Sequence, residues 1–196
     1  MTAQSAGEME NQGDYRRWEE RYSRLGRKRH LPDSLLLEHW SELPGPRVLD
    51  VACGEGRNSL FLAECGLRVC GIDRSPTALR KARQWAQESS LDCEFLLWDL
   101  DSLSLPDHGY DSIVVTRYWQ PELCAVLQAA LRPGGVLLYE TYTKQYLNYR
   151  ADCNPAHLLE PGELRSYFAD MEILHSAEVD KPASSEYCAQ LIARKK

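Results

Sequence analysis

The chain has 196 residues, of which 43% are hydrophobic and 27% charged, so it can bury one core but has no room for a second substrate domain. Its formal net charge of -6 disfavours phosphate backbones and anionic membrane surfaces as partners. The 7 cysteines are odd in number and contain no C-x-x-C pair, which argues against a disulfide framework or a zinc site and predicts reduced thiols. No secretion signal or membrane-length apolar segment is found, so we expect a cytoplasmic protein without membrane partners.

The amino-terminal part of the sequence predicts a flexible tail followed by a helical lid. Residues 1–13 are small, polar and acidic, which is typical of an unpacked tail. Within residues 14–43, aromatic side chains that include Trp18 and Tyr22 recur at spacings of three and four residues, which indicates an amphipathic helix. A second short helix is expected to end near Trp40.

The rest of the chain alternates between strand-like and helix-like segments. We predict strands at 47–52, 68–72, 93–98, 110–115, 135–141, 171–179 and 186–193. Helices are predicted at 57–64, from Ser75 with Pro76 in its first turn, at 122–131 and at 162–168. A turn at 132–135 is expected to separate the third of these helices from the fifth strand, and a long polar stretch covers 144–161.

This order of elements predicts an α/β fold. Strands that alternate with helices pair in parallel through right-handed crossovers, whereas the last two strands are joined by a turn near Pro182 and form a hairpin. We therefore expect residues 14–196 to be one domain with a Rossmann-like, doubly wound, seven-stranded sheet. The sheet is mostly parallel with one antiparallel strand, and helices cover both faces.

The most informative segment is DVACGEGRN, from Asp50 to Asn58, which follows a strand and opens a helix. Gly54 and Gly56 have no Cβ, so the backbone can approach a ligand closely. The free N–H groups at the start of the helix then favour an anion. The alternative is a tight turn with a purely structural role.

Two acidic residues follow the next strands. Asp73 ends the second strand 17 residues after Gly56, where a carboxylate can accept hydrogen bonds from both hydroxyls of a ribose. Asp99 follows the third strand and is placed to face an adenine amino group. The alternatives are a cap for the helix at Ser75 and an ordinary loop acid.

Together these motifs resemble the class I S-adenosylmethionine-dependent methyltransferases, and the glycine turn, the Trp-x-x-x-Tyr helix and the RPGG turn are similar to the small tellurite-resistance-type enzymes. The resemblance implies S-adenosylmethionine as the cofactor, with no metal, and a methyl acceptor that is a small molecule. It also implies a cofactor site formed by Tyr22 as a cover, Ala52, Cys53 and Gly54 at the methionine part, Asp73 at the ribose with Arg74 next to it, Asp99 and Leu100 at the adenine, and Thr116 near the sulfonium. Asp50 is implied to support the methionine ammonium or the turn itself. Ala52 departs from the pattern, since many relatives have a glycine there.

Three alternatives stay open at this point. A nicotinamide site needs G-x-G-x-x-G, but the third glycine position falls on Ser59. A chain that binds S-adenosylmethionine without catalysis would have a blocked acceptor pocket. A protein or nucleic-acid methyltransferase would have an open groove, but the acidic chain has no basic stripe, so we expect no nucleic-acid partner and either a monomer or a homodimer.

The acceptor side is expected beyond the fourth and fifth strands, because ligands of doubly wound sheets lie at the carboxyl ends of the strands. We predict catalytic roles for His157, Tyr142 and Arg117. His157 can exchange a proton near neutral pH, and Arg117 can hold an anion through paired N–H donors. Tyr118 and Arg150 are further candidates, whereas the remaining tyrosines nearby are expected to pack as ordinary wall residues.

Overall fold

The structure is a computed structural model that describes residues 16–24, 31–102 and 104–196. The predicted tail at 1–13 lies outside the described residues. Residues 16–24 are helical and are called α1. The later helices are α2 Ser34–His39, α3 Arg57–Glu64, α4 Pro76–Glu88, α5 Leu123–Ala130 and α6 Glu163–Tyr167. Short 3-10 helices lie at Trp40–Glu42, Leu100–Ser102, Lys144–Asn148, Pro155–His157 and Pro182–Ser184.

Seven strands form one sheet with the order β3-β2-β1-β4-β5-β7-β6. Their bounds are β1 Arg47–Val51, β2 Arg68–Asp73, β3 Cys93–Leu97, β4 Tyr110–Thr116, β5 Leu131–Tyr142, β6 Glu172–Lys181 and β7 Glu186–Arg194. The first five strands pair in parallel, and β7 runs antiparallel to both β5 and β6. The predicted doubly wound sheet with one antiparallel strand is confirmed.

Apolar side chains cover both faces of the sheet. In β4, Ile113 and Val115 pack with α5 and α6, whereas Val114 between them packs with α2 and α3 on the opposite face. Because successive strand residues point to opposite faces, a run of apolar residues requires helices on both sides. The continuous apolar strands of the sequence therefore specify a buried, doubly covered sheet.

One boundary differs from the prediction. The segment 132–135 was expected to be a turn, but β5 already begins at Leu131, which pairs with Tyr110 before the register shifts. On the other side, Gly134 N–H donates to Lys195 O at 2.9 Å and Lys195 N–H donates to Gly135 O at 2.8 Å. Neighbouring strands thus satisfy this backbone in an extended, bulged form that local turn propensity does not reveal.

Candidate functional site

A cavity of about 760 Å³ lies at the carboxyl ends of the parallel strands, where the strand order reverses between β1 and β4. This reversal point is where doubly wound sheets bind their ligands. The lining brings together most of the predicted site residues, namely Tyr22, Ala52, Cys53, Asp73, Arg74, Leu100, Thr116, Arg117, Tyr142 and His157. Gly54, Asp50 and Asp99 are not part of the lining.

The glycine turn leads from β1 into α3 through left-handed backbone conformations at Ala52, Gly54 and Gly56, whose φ angles are 56°, 57° and 80°. Asp73 holds this turn, because Gly54 N–H donates to its Oδ2 and Ser75 N–H donates to its Oδ1, both at 2.8 Å. A carboxylate has about four acceptor positions, so Asp73 keeps acceptor capacity toward the cavity.

Replacing Ala52 by Gly is expected to raise the free energy of unfolding by about 0.5–1 kcal/mol, because a Cβ is disfavoured in the left-handed region. Urea unfolding of the variant measures this gain. The matched control is Ala125→Gly on the exposed side of α5, where the same change should cost about 1 kcal/mol. A loss of stability in both variants would contradict the strain assigned to Ala52.

Helix α1 covers the glycine turn. A Cβ built on Gly54 would lie 2.7 Å from Tyr22 Oη, so the tyrosine ring fits only because this residue is a glycine. Lys81 Nζ donates to Tyr22 O at 2.6 Å and pairs with Glu55 at 2.7 Å. Burial raises the pKa of Tyr22 above its usual range, so its hydroxyl stays protonated. Helix α1 is thus attached to the glycine turn by specific contacts.

Two predicted carboxylates lie elsewhere. Asp50 is 1% exposed beneath the turn, where its Oδ2 accepts a hydrogen bond from Ser59 Oγ at 2.5 Å. Asp99 is exposed, and its oxygens accept from Asp101 N–H and Ser102 Oγ, both at 3.2 Å, so it caps the short helix after β3. It is Asp101, two residues further along the chain, that lines the cavity.

On the far side of the reversal point, Glu186 organises the cavity wall. Glu186 Oε1 accepts hydrogen bonds from Tyr142 Oη at 3.0 Å and pairs with Arg117 NH2 at 2.9 Å. Ser184 Oγ donates to Glu186 Oε2 at 3.0 Å. Arg117 has a φ of 58° and a second ion pair with Asp33, at 3.4 Å. The backbone of Arg117 is strained, and its guanidinium is fixed by two carboxylates just beyond the carboxyl end of β4.

Three other predicted acceptor-side residues also line the cavity: His157, which is exposed, Arg150 and Tyr118. Arg150 pairs with Asp152 at 3.1 Å, and Tyr118 Oη donates to Gln120 Oε1 at 2.6 Å. Burial raises the pKa of Tyr142 far above its usual range, so Tyr142 acts as a neutral hydrogen-bonding group.

Sequence reasoning missed Glu186, Asp33 and Asn58. Asn58 Nδ2 donates to Thr116 Oγ1 at 2.9 Å, and its Oδ1 accepts from Asp33 N–H at 3.0 Å, which links α3 to β4 and to the start of α2. Asn58 belongs to the glycine-turn motif, so its position carried a signal. Glu186 and Asp33 carried none, because only the docking of β7 brings Glu186 to the cavity and only the docking of α2 brings Asp33 to Arg117.

All 7 cysteines are free thiols. In the parts of the chain that the structure describes, no cluster of His, Cys, Asp or Glu side chains could hold a metal ion. Among the same residues, no helix has the length and apolar character needed to cross a membrane.

A doubly wound sheet with an antiparallel seventh strand, a glycine turn from β1 into α3 and an acidic residue at the end of β2 define a class I S-adenosylmethionine-dependent methyltransferase. The chain contains a methyltransferase domain of this class, whose cofactor is S-adenosylmethionine. Its residues 48–135 match the methyltransferase domain family.

The chain is also similar to several individual proteins. The chain is 31% identical over 139 residues to hemagglutinin 1 of Eikenella corrodens, covering 67% of this chain and 46% of that protein. It is 32% identical over 108 residues to a ubiquinone biosynthesis O-methyltransferase of Xanthomonas campestris, covering 52% and 45%. The chain therefore spans about half the length of these curated relatives. The fold matches TehB from Haemophilus influenzae with a TM-score of 0.73 and 21% identity, over 84% of this chain and 63% of that one.

Proposed function

We propose that this protein transfers a methyl group from S-adenosylmethionine to a small-molecule acceptor. The observation that carries the proposal is the cavity of about 760 Å³ at the reversal point, one side of which is formed by α1. Such a volume is typical of small-molecule sites, and the helix across the glycine turn disfavours the open groove that a protein or nucleic acid would need.

The residues at the β1 and β2 ends of the cavity fit the cofactor. Ala52 and Cys53 line the turn, Tyr22 occupies the space next to Gly54, and Asp73 keeps acceptor positions for the ribose hydroxyls. Leu100 and Asp101, rather than Asp99, are proposed at the adenine because they line the cavity. Tyr22 would cover the methionine part from α1, and Thr116 and Arg74 complete the wall.

The bound cofactor supplies an electrophilic methyl group for in-line displacement. The chain's own task is alignment in a dry pocket, which is a large part of what such a reaction requires. Arg117 is held by Asp33 and Glu186 and keeps the β4 end of the cavity rigid. Tyr142 and His157 are proposed to position the acceptor, Tyr142 from β5 and His157 from the short helix at the rim.

Asp73→Asn is expected to weaken binding of S-adenosylmethionine and of its demethylated product by about 1.5–3 kcal/mol, or roughly ten- to a hundredfold, because charge-assisted hydrogen bonds are lost. Isothermal titration calorimetry measures both affinities, with NAD as the control ligand. Asp99→Ala tests the adenine side, and we expect unchanged affinity in this variant. Binding of NAD alone, or of none of the three ligands by the wild-type protein, would overturn the proposed function.

A further inference from the structure

Tyr142 lines the cavity, and its hydroxyl proton is already used in a hydrogen bond to Glu186. The Glu186 carboxylate receives three donors, from Tyr142 Oη at 3.0 Å, from Arg117 and from Ser184 Oγ. A phenol has a single O–H, so the Tyr142 oxygen can offer only its lone pairs to a ligand. Tyr142 lies in the cavity wall, so these lone pairs can be reached by a ligand in the cavity. The Tyr142 oxygen is therefore a hydrogen-bond acceptor in the cavity wall, and a ligand that binds to it must supply the donor.

The charges in this part of the wall are balanced. Each lining arginine outside α1 is paired with a carboxylate: Arg57 with Asp33, Arg74 with Asp101 at 3.6 Å, Arg117 with Asp33 and Glu186, and Arg150 with Asp152. A paired guanidinium attracts a second anion less than a free one does, because the neighbouring carboxylate repels it. Next to Tyr142 this arrangement favours a neutral acceptor over a carboxylate or a phosphate, because the neighbouring Arg117 is already paired with Asp33 and Glu186.

Tyr142 and Glu186 also lie away from the proposed cofactor residues. Asp73 ends β2, whereas Tyr142 ends β5, three strands further across the sheet, and neighbouring strands are about 4.8 Å apart. That separation of roughly 14 Å puts the tyrosine and the glutamate on the side of the cavity left for the methyl acceptor.

We infer that the methyl acceptor is a neutral molecule that donates a hydrogen bond from a hydroxyl or amine group to Tyr142 Oη. Glu186 is the positioning residue, since it accepts the hydrogen bond of the Tyr142 hydroxyl and thereby leaves the oxygen lone pairs to the ligand. This inference rests on the proposed function and names its acceptor class. It makes Tyr142 a specificity-determining residue, because an ether or a carboxylate in the same place would have no proton to donate.

Phenol, its methyl ether anisole, and benzoate are matched probes for this site. Ligand-observed NMR titrations, with and without S-adenosylhomocysteine, are expected to show phenol binding roughly three- to tenfold more tightly than anisole, as one neutral hydrogen bond allows. Tyr142→Phe should weaken phenol until the two probes bind within about twofold. Glu186→Ala should instead strengthen anisole, because the released Tyr142 proton can then be donated to the ether oxygen.

The control variant is Tyr149→Phe, which removes a hydrogen bond of the same kind, from Tyr149 Oη to Asp180 at 2.6 Å, outside the cavity. It should leave the phenol-to-anisole ratio unchanged. The inference is overturned if anisole or benzoate binds as tightly as phenol, if no probe binds, or if Tyr142→Phe keeps the wild-type ratio. S-adenosylhomocysteine affinity is recorded on the same samples, so failure of the cofactor site is read separately from failure of the acceptor preference.

Discussion

Replacing Lys181 by Met is expected to lower the free energy of unfolding by about 3–5 kcal/mol, because it leaves a buried carboxylate without its paired cation. Glu140 in the middle of the sheet is 0% exposed, and both of its oxygens accept from Lys181 Nζ, at 2.9 and 2.7 Å. Gln190 Nε2 donates to Glu140 Oε2 at 2.6 Å, but an amide cannot neutralise the charge. Urea unfolding at neutral pH measures the loss.

Lys144→Met is the matched control, since it removes the same side chain from an ion pair with Glu160 that is about half exposed. Such surface pairs contribute about 0–1 kcal/mol, so this variant should be nearly as stable as the wild type. The double variant Glu140→Leu with Lys181→Met should recover most of the loss, because it leaves no unpaired charge. Equal effects of the two single Lys→Met changes would contradict the assignment.

Asp50 is expected to make the protein less stable as the pH rises. Burial raises its pKa from 3.8 to about 7, against the hydrogen bond from Ser59 and the charge of Arg57, which lower it. Between these two values the folded protein holds a proton that the unfolded chain has released. The free energy of unfolding therefore falls as the pH rises from about 4 to 7, by up to about 4 kcal/mol at 1.36 kcal/mol per pKa unit.

Asp50→Asn should lack this contribution, so the difference in unfolding free energy between the variant and the wild type should grow in the variant's favour from pH 4.5 to 8. Urea unfolding across this range measures the slope, which is independent of any constant cost of the substitution. Ser59→Ala should extend the slope to higher pH, because it removes the hydrogen bond that lowers the Asp50 pKa. If the free energy of unfolding changed with pH equally in Asp50→Asn and in the wild type, Asp50 would not be the cause of the pH dependence.

The sequence predicted those residues of the candidate site whose position follows from the end of a nearby strand. Ala52, Cys53, Asp73 and Thr116 line the cavity because each ends a parallel strand or lies within two residues of its end, and all such ends lie at one edge of the sheet. Asp99 shows the limit of that reasoning. It also follows a strand, but its side chain caps a short helix, and the next acid in that helix reaches the cavity instead.

By itself, the sequence determined the alternation of strands and helices, the buried doubly covered sheet and the glycine turn, because these follow from apolar periodicity and from the backbone freedom of glycine. Only the tertiary structure decided the part of the cavity wall around Glu186. Glu186 meets Arg117 and Tyr142 across more than forty residues of chain, through the antiparallel docking of β7 against β5. Contacts of this kind depend on register and side-chain packing between distant segments, for which no local pattern exists.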